Sequence, residues 1–377
     1  MSFIENPVYV LFVLCAMVVL AFYAAKTRVG KRFGIALLVI VFTAVIANLK
    51  LIPSASNAIP LYDGIFTYLA PISIFYLLLD VNLRTIRKAG TPMIVLFLLG
   101  SLATTLGVLV AWYMTTPQDV IGNDAKIIAG MLTGTYTGGS VNFNAIALEY
   151  DFQERGVLYA GTIAVDNVVT TLWIVITLII PVFLRSFWKD KKIEIPADTK
   201  SYGEVKEMNL YSLTWLVFLG ISAYFISELV ATVLPQIPSI LTLTTLGILL
   251  AQTKFVSNLK SSNALGLYLV YLFLAVIGAY CEVSSVIELK DIGVTLLIFA
   301  SLTVITHGII LVILGSLFYR DWEMISIASQ ANVGGGTTAI ALAETFQRKE
   351  LILPAILVGT LGNALGTYLG FMVVGLL

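Results

Sequence analysis

The chain has 377 residues, of which 59% are hydrophobic and only 12% are charged, and its mean hydropathy is +0.96. About a quarter of the residues in a soluble domain are charged, so this composition excludes a globular domain with a single anchor and predicts an all-α, polytopic membrane protein. Lysine and arginine together number 22, as do aspartate and glutamate. This balance argues against nucleic-acid partners and against a polybasic lipid-binding tail.

The apolar N-terminal stretch is predicted to be retained as the first span. It lacks a basic n-region and a small-residue cleavage site. Cys15 and Cys281 each lie inside an apolar run, where a thiol behaves as a small hydrophobic side chain. We therefore expect neither a disulfide nor a metal site built on cysteine.

The apolar runs predict the number of membrane spans. A helix needs about 20 apolar residues to cross a hydrocarbon core that is roughly 30 Å thick. This rule predicts about eleven spans, within a range of roughly 10 to 12. The run 239–252 is shorter and is bounded by Pro235, Pro238 and Lys254, so it either crosses or only dips into the membrane. The predicted spans are 7–25, 33–52, 64–80, 92–115, 125–150, 156–185, 210–234, 263–282, 292–318, 322–346 and 351–377.

One polar segment, Ser186–Asn209, separates two halves that resemble each other. It predicts a first transmembrane half (1–185), a linker (186–209) and a second half (210–377). "TGGSVNFNAIALEYDFQ" in the first half matches "VGGGTTAIALAETFQ" in the second, and "YLLLDVNLRTI" laid on "GAYCEVSSVIE" puts Asp80 opposite Glu282. Several matches in the same order indicate an internal duplication, which in transporters is often inverted.

The basic loops predict the orientation of the spans. Lys26, Arg28, Lys31 and Arg32 form one basic loop, and the next lies at 84–88. Two spans separate these loops, so both are expected in the cytoplasm, and the linker then falls on the other side. An inverted repeat requires an odd number of spans between equivalent points. Omitting 239–252 gives eleven spans and preserves the inversion.

Two glycine clusters occupy corresponding places in the broken spans 125–150 and 322–346. Small residues allow close helix packing, which is one interpretation. The alternative is a pair of discontinuous helices that cross at the bilayer centre, where half-helix N-termini receive an anionic substrate and polar oxygens hold Na⁺. The candidate residues are Thr135, Thr137, Gly138, Gly139, Ser140, Asn142 and Asn144 at the first crossover, and Gln330, Asn332, Gly334, Gly335, Gly336, Thr337 and Thr338 at the second.

Asp166 lies ten residues into the span after the first broken segment. A carboxylate in such a run is costly and is expected to face the interior of the bundle. It is either a protonated group bonded to a neighbouring carbonyl or a carrier of Na⁺ or H⁺, with Asn167 as a neutral ligand beside it. The equivalent place in the second half holds Gly362 and Asn363, so the acid is present on one side only.

Three further titratable residues are secondary candidates. His307, the single histidine, is either a satisfied interhelical hydrogen-bond partner or a proton relay. Asp80 and Glu282 lie near span ends, where they are either interfacial anchors or equivalent functional groups.

Two alternatives come from other classes, an enzyme and a non-transporting membrane scaffold. "GGSV", with Ser140, fits the short GxSx pattern of intramembrane serine proteases, and His307 would be its base. The pattern has two specified residues and leaves the second glycine cluster unexplained. The sequence contains no HExxH, phosphate loop or dinucleotide fingerprint.

Three stretches of the sequence resemble the YjcL-like family of membrane proteins of unknown function. They are "GTYTGGSVNFNAIA", "SQANVGGGTTAIALAETF" and "LILPAILVGTLGNALGTYLG". That family resembles the wider clan of cation:proton antiporters and bile-acid:sodium symporters. The resemblance implies a panel domain beside a core domain with two crossed, broken helices, and transport by an elevator-like movement of the core. In the antiporters, acidic residues after the first broken helix bind the ion, a place that Asp166 and Asn167 match. Asn167 departs from the paired-aspartate form, which puts electrogenic Na⁺/H⁺ exchange in question.

These observations predict a multi-pass secondary transporter of the bacterial inner membrane rather than an enzyme. It would couple Na⁺ or H⁺ to a small, anionic organic solute. A monovalent cation:proton antiporter remains the alternative within transport. The expected partners are the solute, the coupling ion, the lipid bilayer and a second copy in a homodimer. No cofactor is expected besides Na⁺ at the crossover.

Overall fold

A computed structural model describes residues 3–27, 30–81, 83, 86, 89–189, 191–193, 209–235, 237–281 and 290–377. These residues form helices and connecting turns and contain no β-strand. The all-α, polytopic class predicted from composition is therefore confirmed.

The helices follow the predicted apolar runs closely. In the first half they are α1 (Pro7–Ala24), α2 (Gly30–Asn48), α3 (Pro60–Leu78, with a π-helical stretch), α4 (Thr91–Thr115), α5 (Asp124–Gly138), α6 (Ser140–Glu149) and α7 (Gly156–Arg185). In the second half they are α8 (Leu210–Val233), α9 (Ser239–Ala251), α10 (Ser262–Tyr280), α11 (Lys290–Phe318), α12 (Trp322–Val333), α13 (Gly335–Thr345) and α14 (Ile352–Leu376).

The helix boundaries follow from local chemistry. Asn6 precedes α1 and accepts a hydrogen bond from the Val8 amide at 2.9 Å, with Pro7 as the first helical residue. Asp321 accepts from the Met324 amide at the start of α12. The breaks inside the two predicted spans occur at glycines with φ of +97° (Gly139) and +78° (Gly335), a region that disfavours other side chains.

The segment α5–α6 is a hairpin whose arms both pack along α14. A Cβ atom on Gly130 would lie 2.9 Å from the Gly370 carbonyl oxygen, and one on Gly138 would overlap the Gly362 carbonyl, so α5 is antiparallel to α14. The second arm runs the other way, since Asn142 binds Thr367 and the Tyr150 ring packs on Phe371. We call α5–α6 hairpin 1.

The segment α12–α13, hairpin 2, reverses in the same way. Arm α12 runs antiparallel to α7, with Glu323 bonded to Arg185 near one end and Ser329 bonded to Trp173 further along. Arg348, which follows α13, returns to the start of α12 and contacts Asp321 at 3.1 Å. Hairpin 1 is closed at its base by the equivalent pair, Arg155 and Asp124, at 2.7 Å.

The two predicted discontinuous helices therefore exist, but they do not cross the bundle as predicted. Each enters and leaves at the same end. The positive φ at the glycine reverses the chain where the sequence alone suggests only an interruption. Within the described ranges, eight helices are long and apolar enough to span a membrane, and the short apolar helices α2 and α9 also run between the two ends of the bundle. Among the described residues ten helices thus cross, including the uncertain run 239–252.

The predicted inverted repeat is confirmed by the directions of equivalent helices. Gly315 of α11 packs on Leu96 of α4, whereas Thr303 lies against Gly107, so these two equivalent helices are antiparallel. In the same way, Phe66 of α3 meets Phe273 of α10, and Leu77 meets Gly266. In the part of each half that the structure describes, there are five crossing helices and one hairpin. Because five is an odd number of crossings, the second half starts on the opposite side and is inverted relative to the first. This count includes 239–252, so the prediction that omitted this run from the spans was wrong.

The reversal also corrects the predicted placement of the linker. Because hairpin 1 returns to the end of the bundle from which it started, α7 ends on the same side as α1 and α3. The two basic loops follow α1 and α3, and the linker follows α7. We call this side of the bundle the linker end. Described basic residues at the linker end are Lys26, Arg185, Lys189, Lys191, Lys192, Lys254, Lys260, Arg320, Arg348 and Lys349. Described acidic residues at the opposite end are Glu5, Asp63, Asp119, Asp124, Glu149, Asp151, Glu154, Glu228 and Asp291.

The crossing helices form two packed groups. Helices α1, α2, α3, α8, α9 and α10 form one group, in which α3 packs on α10 and α9, and α2 packs on α10. Helices α4, α7, α11 and α14 form the other group with both hairpins. The second group holds the glycine clusters, and these groups correspond to the expected panel and core.

The hairpin topology predicts that positions before and after hairpin 1 lie on the same side of the membrane. In a Cys15→Ala/Cys281→Ala background, Asp119→Cys and Glu154→Cys, both at exposed positions, should react with an impermeant maleimide from the same face. Lys189→Cys, at the linker end, should react only from the other face. Labelling of positions 119 and 154 from opposite faces would contradict the hairpin and support a crossing helix.

Candidate functional site

The tips of the two hairpins meet on the middle of α14. Gly138 of hairpin 1 packs against Gly362, and a Cβ atom on Gly359 would lie 2.6 Å from the Cα of Gly336 in hairpin 2. Three residues separate the two contact points, about 4.5 Å along the helix axis. Hairpins entering from opposite ends therefore bring their reversals together in the middle of the core.

The second arm of each hairpin begins at this meeting point with open backbone groups. The first amides of a helix have no partner within the helix. Neither α6 nor α13, both fully described, has a side-chain cap: Gly139 and Gly334 precede them. Ser140 and Thr337 in the first turns are exposed. Two helix N-termini, each with a partial positive charge and an exposed hydroxyl in its first turn, thus lie close to each other along α14.

Most polar residues of the first predicted crossover are used to hold hairpin 1. Asn142 accepts hydrogen bonds from the Thr367 amide at 3.0 Å and hydroxyl at 2.8 Å, and donates to the Gly362 carbonyl. Asn144 accepts from Tyr159, and Thr137 donates to its own helix. Thr135 is buried. Only Gly139 and Ser140 remain open among the predicted residues of this hairpin.

The second crossover shows the same division of roles. Asn332 accepts from Ser101 at 2.9 Å and donates to the Phe97 and Ala328 carbonyls, which fastens α12 to α4. Gln330 accepts from Thr177 and donates to Thr338. Gly334, Gly335 and Gly336 form a partly exposed turn and Thr337 is exposed. The buried amides position the tips, and the glycines and hydroxyls beside them are accessible.

Asp166 lies on α7 and is partly buried, as predicted for an acid that faces the bundle. Its carboxylate accepts a hydrogen bond from Thr170 at 3.3 Å. The Tyr136 hydroxyl of hairpin 1 lies close to the same carboxylate but has no hydrogen-bond partner among the described residues. Asn167 and Asn363 are also partly buried, and Asn363 adjoins the Gly138–Gly362 contact. Asp166 therefore lies near the first arm of hairpin 1 and is partly accessible.

His307 is a fully buried junction of the core. Its Nδ1 lies 3.0 Å from the Gly100 carbonyl and 3.0 Å from the Thr104 hydroxyl, which itself donates to the Tyr136 carbonyl. Its Nε2 lies 2.9 Å from the Ser329 hydroxyl, which accepts from the Trp173 indole. These partners assign the proton to Nδ1 and leave Nε2 as an acceptor. Both nitrogens are satisfied, and neither contacts Ser140.

Asp80, one of the two remaining candidates, is not brought to the hairpin tips. Asp80 is exposed at the linker end and accepts a hydrogen bond from Ser262 at 3.1 Å. This geometry matches an anchor at a helix end. Glu282 lies outside the described residues.

The base of hairpin 2 carries a buried ionic cluster that the sequence analysis missed. Arg348 contacts Asp321 and Glu323 at 3.1 Å each and pairs with Glu350, and Arg185 binds Glu323 at 2.6 Å. Burial opposes the charge, but hydrogen bonds to Glu350 and the charge of Asp321 together raise the pKa of Arg348 above its ordinary value. Arg348 also donates to the Ile193 carbonyl, so the start of the linker is held to this base.

The sequence contains a signal for the ion pairs that close the two hairpins. Opposite charges flank each broken span: Asp124 and Arg155 around the first, Asp321 and Arg348 around the second. A crossing segment would place such residues on opposite sides of the membrane. A hairpin places them within reach of each other, so paired flanking charges indicate a reversal.

Comparison with known proteins places the chain in a family. Residues 9–377 match the family model described as a protein of unknown function, DUF819. The chain belongs to this family. It is similar to the "Uncharacterized membrane protein YjcL" of Bacillus subtilis (strain 168), with 30% identity over 348 residues that cover 86% of this chain and 85% of the relative. The predicted resemblance to YjcL-like membrane proteins is thereby confirmed.

The contact between Gly138 and Gly362 predicts a sensitive position on α14. A Cβ atom at Gly362 would overlap the Thr137 carbonyl oxygen, so Gly362→Ala should lower stability by about 1–3 kcal/mol through overpacking. Gly161→Ala is the control, because Gly161 on α7 has nothing within 4 Å of an added Cβ. Thermal unfolding in detergent followed by tryptophan fluorescence measures both. Equal melting temperatures for the two variants would contradict this packing.

The ionic cluster predicts a large effect at one of two neighbouring basic residues. Arg348→Met leaves the buried Asp321 and Glu323 without their cation and should destabilise hairpin 2 by about 3–5 kcal/mol. Lys349→Met at the exposed neighbouring position should change stability by less than about 0.5 kcal/mol. Proteolysis at the hairpin base and thermal unfolding report both. If Arg348→Met behaves like Lys349→Met, the cluster does not hold the hairpin.

Proposed function

We propose that this protein is a secondary active transporter whose substrate site lies between the tips of hairpins 1 and 2. The observation that supports this proposal is the position of the two hairpin tips. They contact α14 at points about one helical turn apart, and the second arm of each hairpin begins there with an uncapped N-terminus. Irregular backbone in the middle of an apolar bundle persists where it is buried in protein or lines a wet cavity. The exposed Ser140 and Thr337 favour the wet cavity.

The chemistry of the tips favours a small anionic solute. The amides at the starts of α6 and α13 are donors, and both helix dipoles present their positive ends. The hydroxyls of Ser140 and Thr337 add donors beside them. The first arms end at Gly138 and Val333, where helix C-terminal carbonyls supply oxygens suited to Na⁺. The two kinds of helix end thus provide for a solute and a coupling cation.

Asp166 is the proposed carrier of the coupling ion. It lies on α7 close to the Tyr136 hydroxyl of hairpin 1 and remains partly accessible. Na⁺ or H⁺ on Asp166 would neutralise a charge next to hairpin 1. Asn167 would contribute a neutral oxygen. Occupation of this group would thereby be linked to the position of the hairpin.

The division into two helix groups is suited to an elevator-like movement. The hairpins, α7 and α14 belong to one group, and the wider antiporter and symporter clan that the chain resembles moves such a core against a panel. Under the positive-inside rule, the basic linker end would face the cytoplasm of a bacterial inner membrane. Hairpin 1 would then open outward and hairpin 2 inward.

A monovalent cation:proton antiporter is the second candidate, and Asp166 is the observation that favours it. Such an exchanger needs a carboxylate that binds cation and proton alternately, and it needs no anion donors. The uncapped helix N-termini therefore distinguish the two candidates. An anionic solute is expected to bind only in the first.

The ion site is tested by thermal shift on the purified protein. Na⁺ at ten times its Kd should stabilise the protein by about 1.4 kcal/mol relative to choline chloride of equal ionic strength. Asp166→Asn should abolish this shift, whereas Asp119→Asn, at an exposed position outside the core, should retain it. A screen of small organic anions with and without Na⁺, followed by uptake into proteoliposomes, identifies the solute. If neither Na⁺ nor pH shifts the melting of the parent protein, the coupling proposal is wrong.

A further inference from the structure

A second cavity lies away from the hairpin tips, at the end of the bundle opposite the linker. It has a volume of about 440 Å³, is open to solvent on one side, and is lined by the base of hairpin 1 and by the panel helices α3, α8 and α9. Sites for small ligands span about 300–1,000 Å³. The cavity is therefore large enough for an organic molecule.

Carboxylates from three separate elements face this cavity. Asp63 comes from α3, Asp151 and Glu154 follow α6, and Glu228 comes from α8. The described lining contains no lysine or arginine. Arg155 adjoins Glu154 in sequence but is bound to Asp124 at 2.7 Å. The cavity thus concentrates negative charge that its described lining leaves uncompensated.

An incompletely bonded amide provides independent evidence for a ligand. Gln153 lines the cavity and only 4% of it is exposed. Its Nε2 donates to Asp151 at 3.4 Å, but its Oε1 has no hydrogen-bond partner. A buried acceptor without a donor is unfavourable, so a donor is expected to occupy this position. Tyr224 adds an aromatic ring to the same lining.

The spacing of the carboxylates around the cavity favours an organic cation over a metal ion. No group of three acidic, histidine or cysteine side chains in the described part of the chain is close enough to hold a metal ion. Carboxylates spread around 440 Å³ can instead each meet a different ammonium group of an extended molecule. We infer that this cavity binds a small organic polycation with two or more ammonium groups, such as a diamine or polyamine. One ammonium would donate to Gln153 and lie near Tyr224.

This site is separate from the hairpin tips and does not depend on the proposed transport activity. Its walls come from the base of hairpin 1 on one side and from panel helices on the other. A bound polycation would bridge the two groups of helices. Binding to the folded protein would also raise its melting temperature by linkage.

Calorimetric titration of the purified full-length protein at low salt, with spermidine and putrescine as probes, tests the site. We expect saturable binding of spermidine, tighter than that of putrescine, which weakens as NaCl is raised. Asp63→Asn/Glu228→Gln, which removes charge at two exposed panel positions, should raise the Kd for spermidine about ten-fold. Asp119→Asn, an acidic residue at the same end but outside the cavity, should leave it unchanged.

Three results would overturn the inference: no saturable binding, an equal loss of affinity in Asp119→Asn, or equally tight binding of Mg²⁺ at the same sites. The first two indicate a diffuse surface charge and the third a metal site. If the double variant does not fold, the exposed single variant Glu228→Gln decides, with an expected two- to five-fold weakening. An unchanged Kd in that variant would place the ligand elsewhere.

Discussion

The structure depends on how the chain satisfies its backbone polar groups where it reverses inside an apolar bundle. An amide without a partner in hydrocarbon is expensive, so a reversal there requires both a residue that tolerates positive φ and a neighbouring surface that covers the turn. Gly139 and Gly335 meet the first requirement. Helix α14 meets the second, because Gly359 and Gly362 let the two tips approach its backbone. The remaining architecture arranges the other helices around these two turns.

The hairpins are held at both ends by different kinds of interaction. Near the tips, buried amides and hydroxyls bind main-chain groups on neighbouring helices, as Asn142 does on α14 and Asn332 does on α4. At the bases, where the chain approaches solvent, ion pairs close each hairpin. This distribution follows the local environment. Neutral hydrogen bonds are less costly to bury than charges, and charges are retained where water or several partners compensate them.

His307 shows how one buried polar side chain can join several helices. Through its partners it connects α4, α11 and α12, and through Thr104 and Ser329 it reaches hairpin 1 and α7. A junction of this kind rigidifies the middle of the core because every member is satisfied. Asp166, in contrast, has few protein partners and partial exposure. The two ionisable groups of the core that stand out in the sequence therefore have opposite surroundings.

The sequence by itself determined the all-α class, the places of the apolar helices, the internal duplication and the glycine breaks, because apolar length, periodic repetition and glycine content are local properties. It also identified Asp166 as an acid facing the bundle. Only the tertiary structure decided that the breaks are reversals, that 239–252 crosses, and that the linker shares an end with the basic loops. Whether a helix continues or returns after a glycine depends on the surface that receives it, here α14 and α7. That surface is assembled from residues more than 150 positions away in the chain, as Trp173–Ser329 and Asn142–Thr367 show.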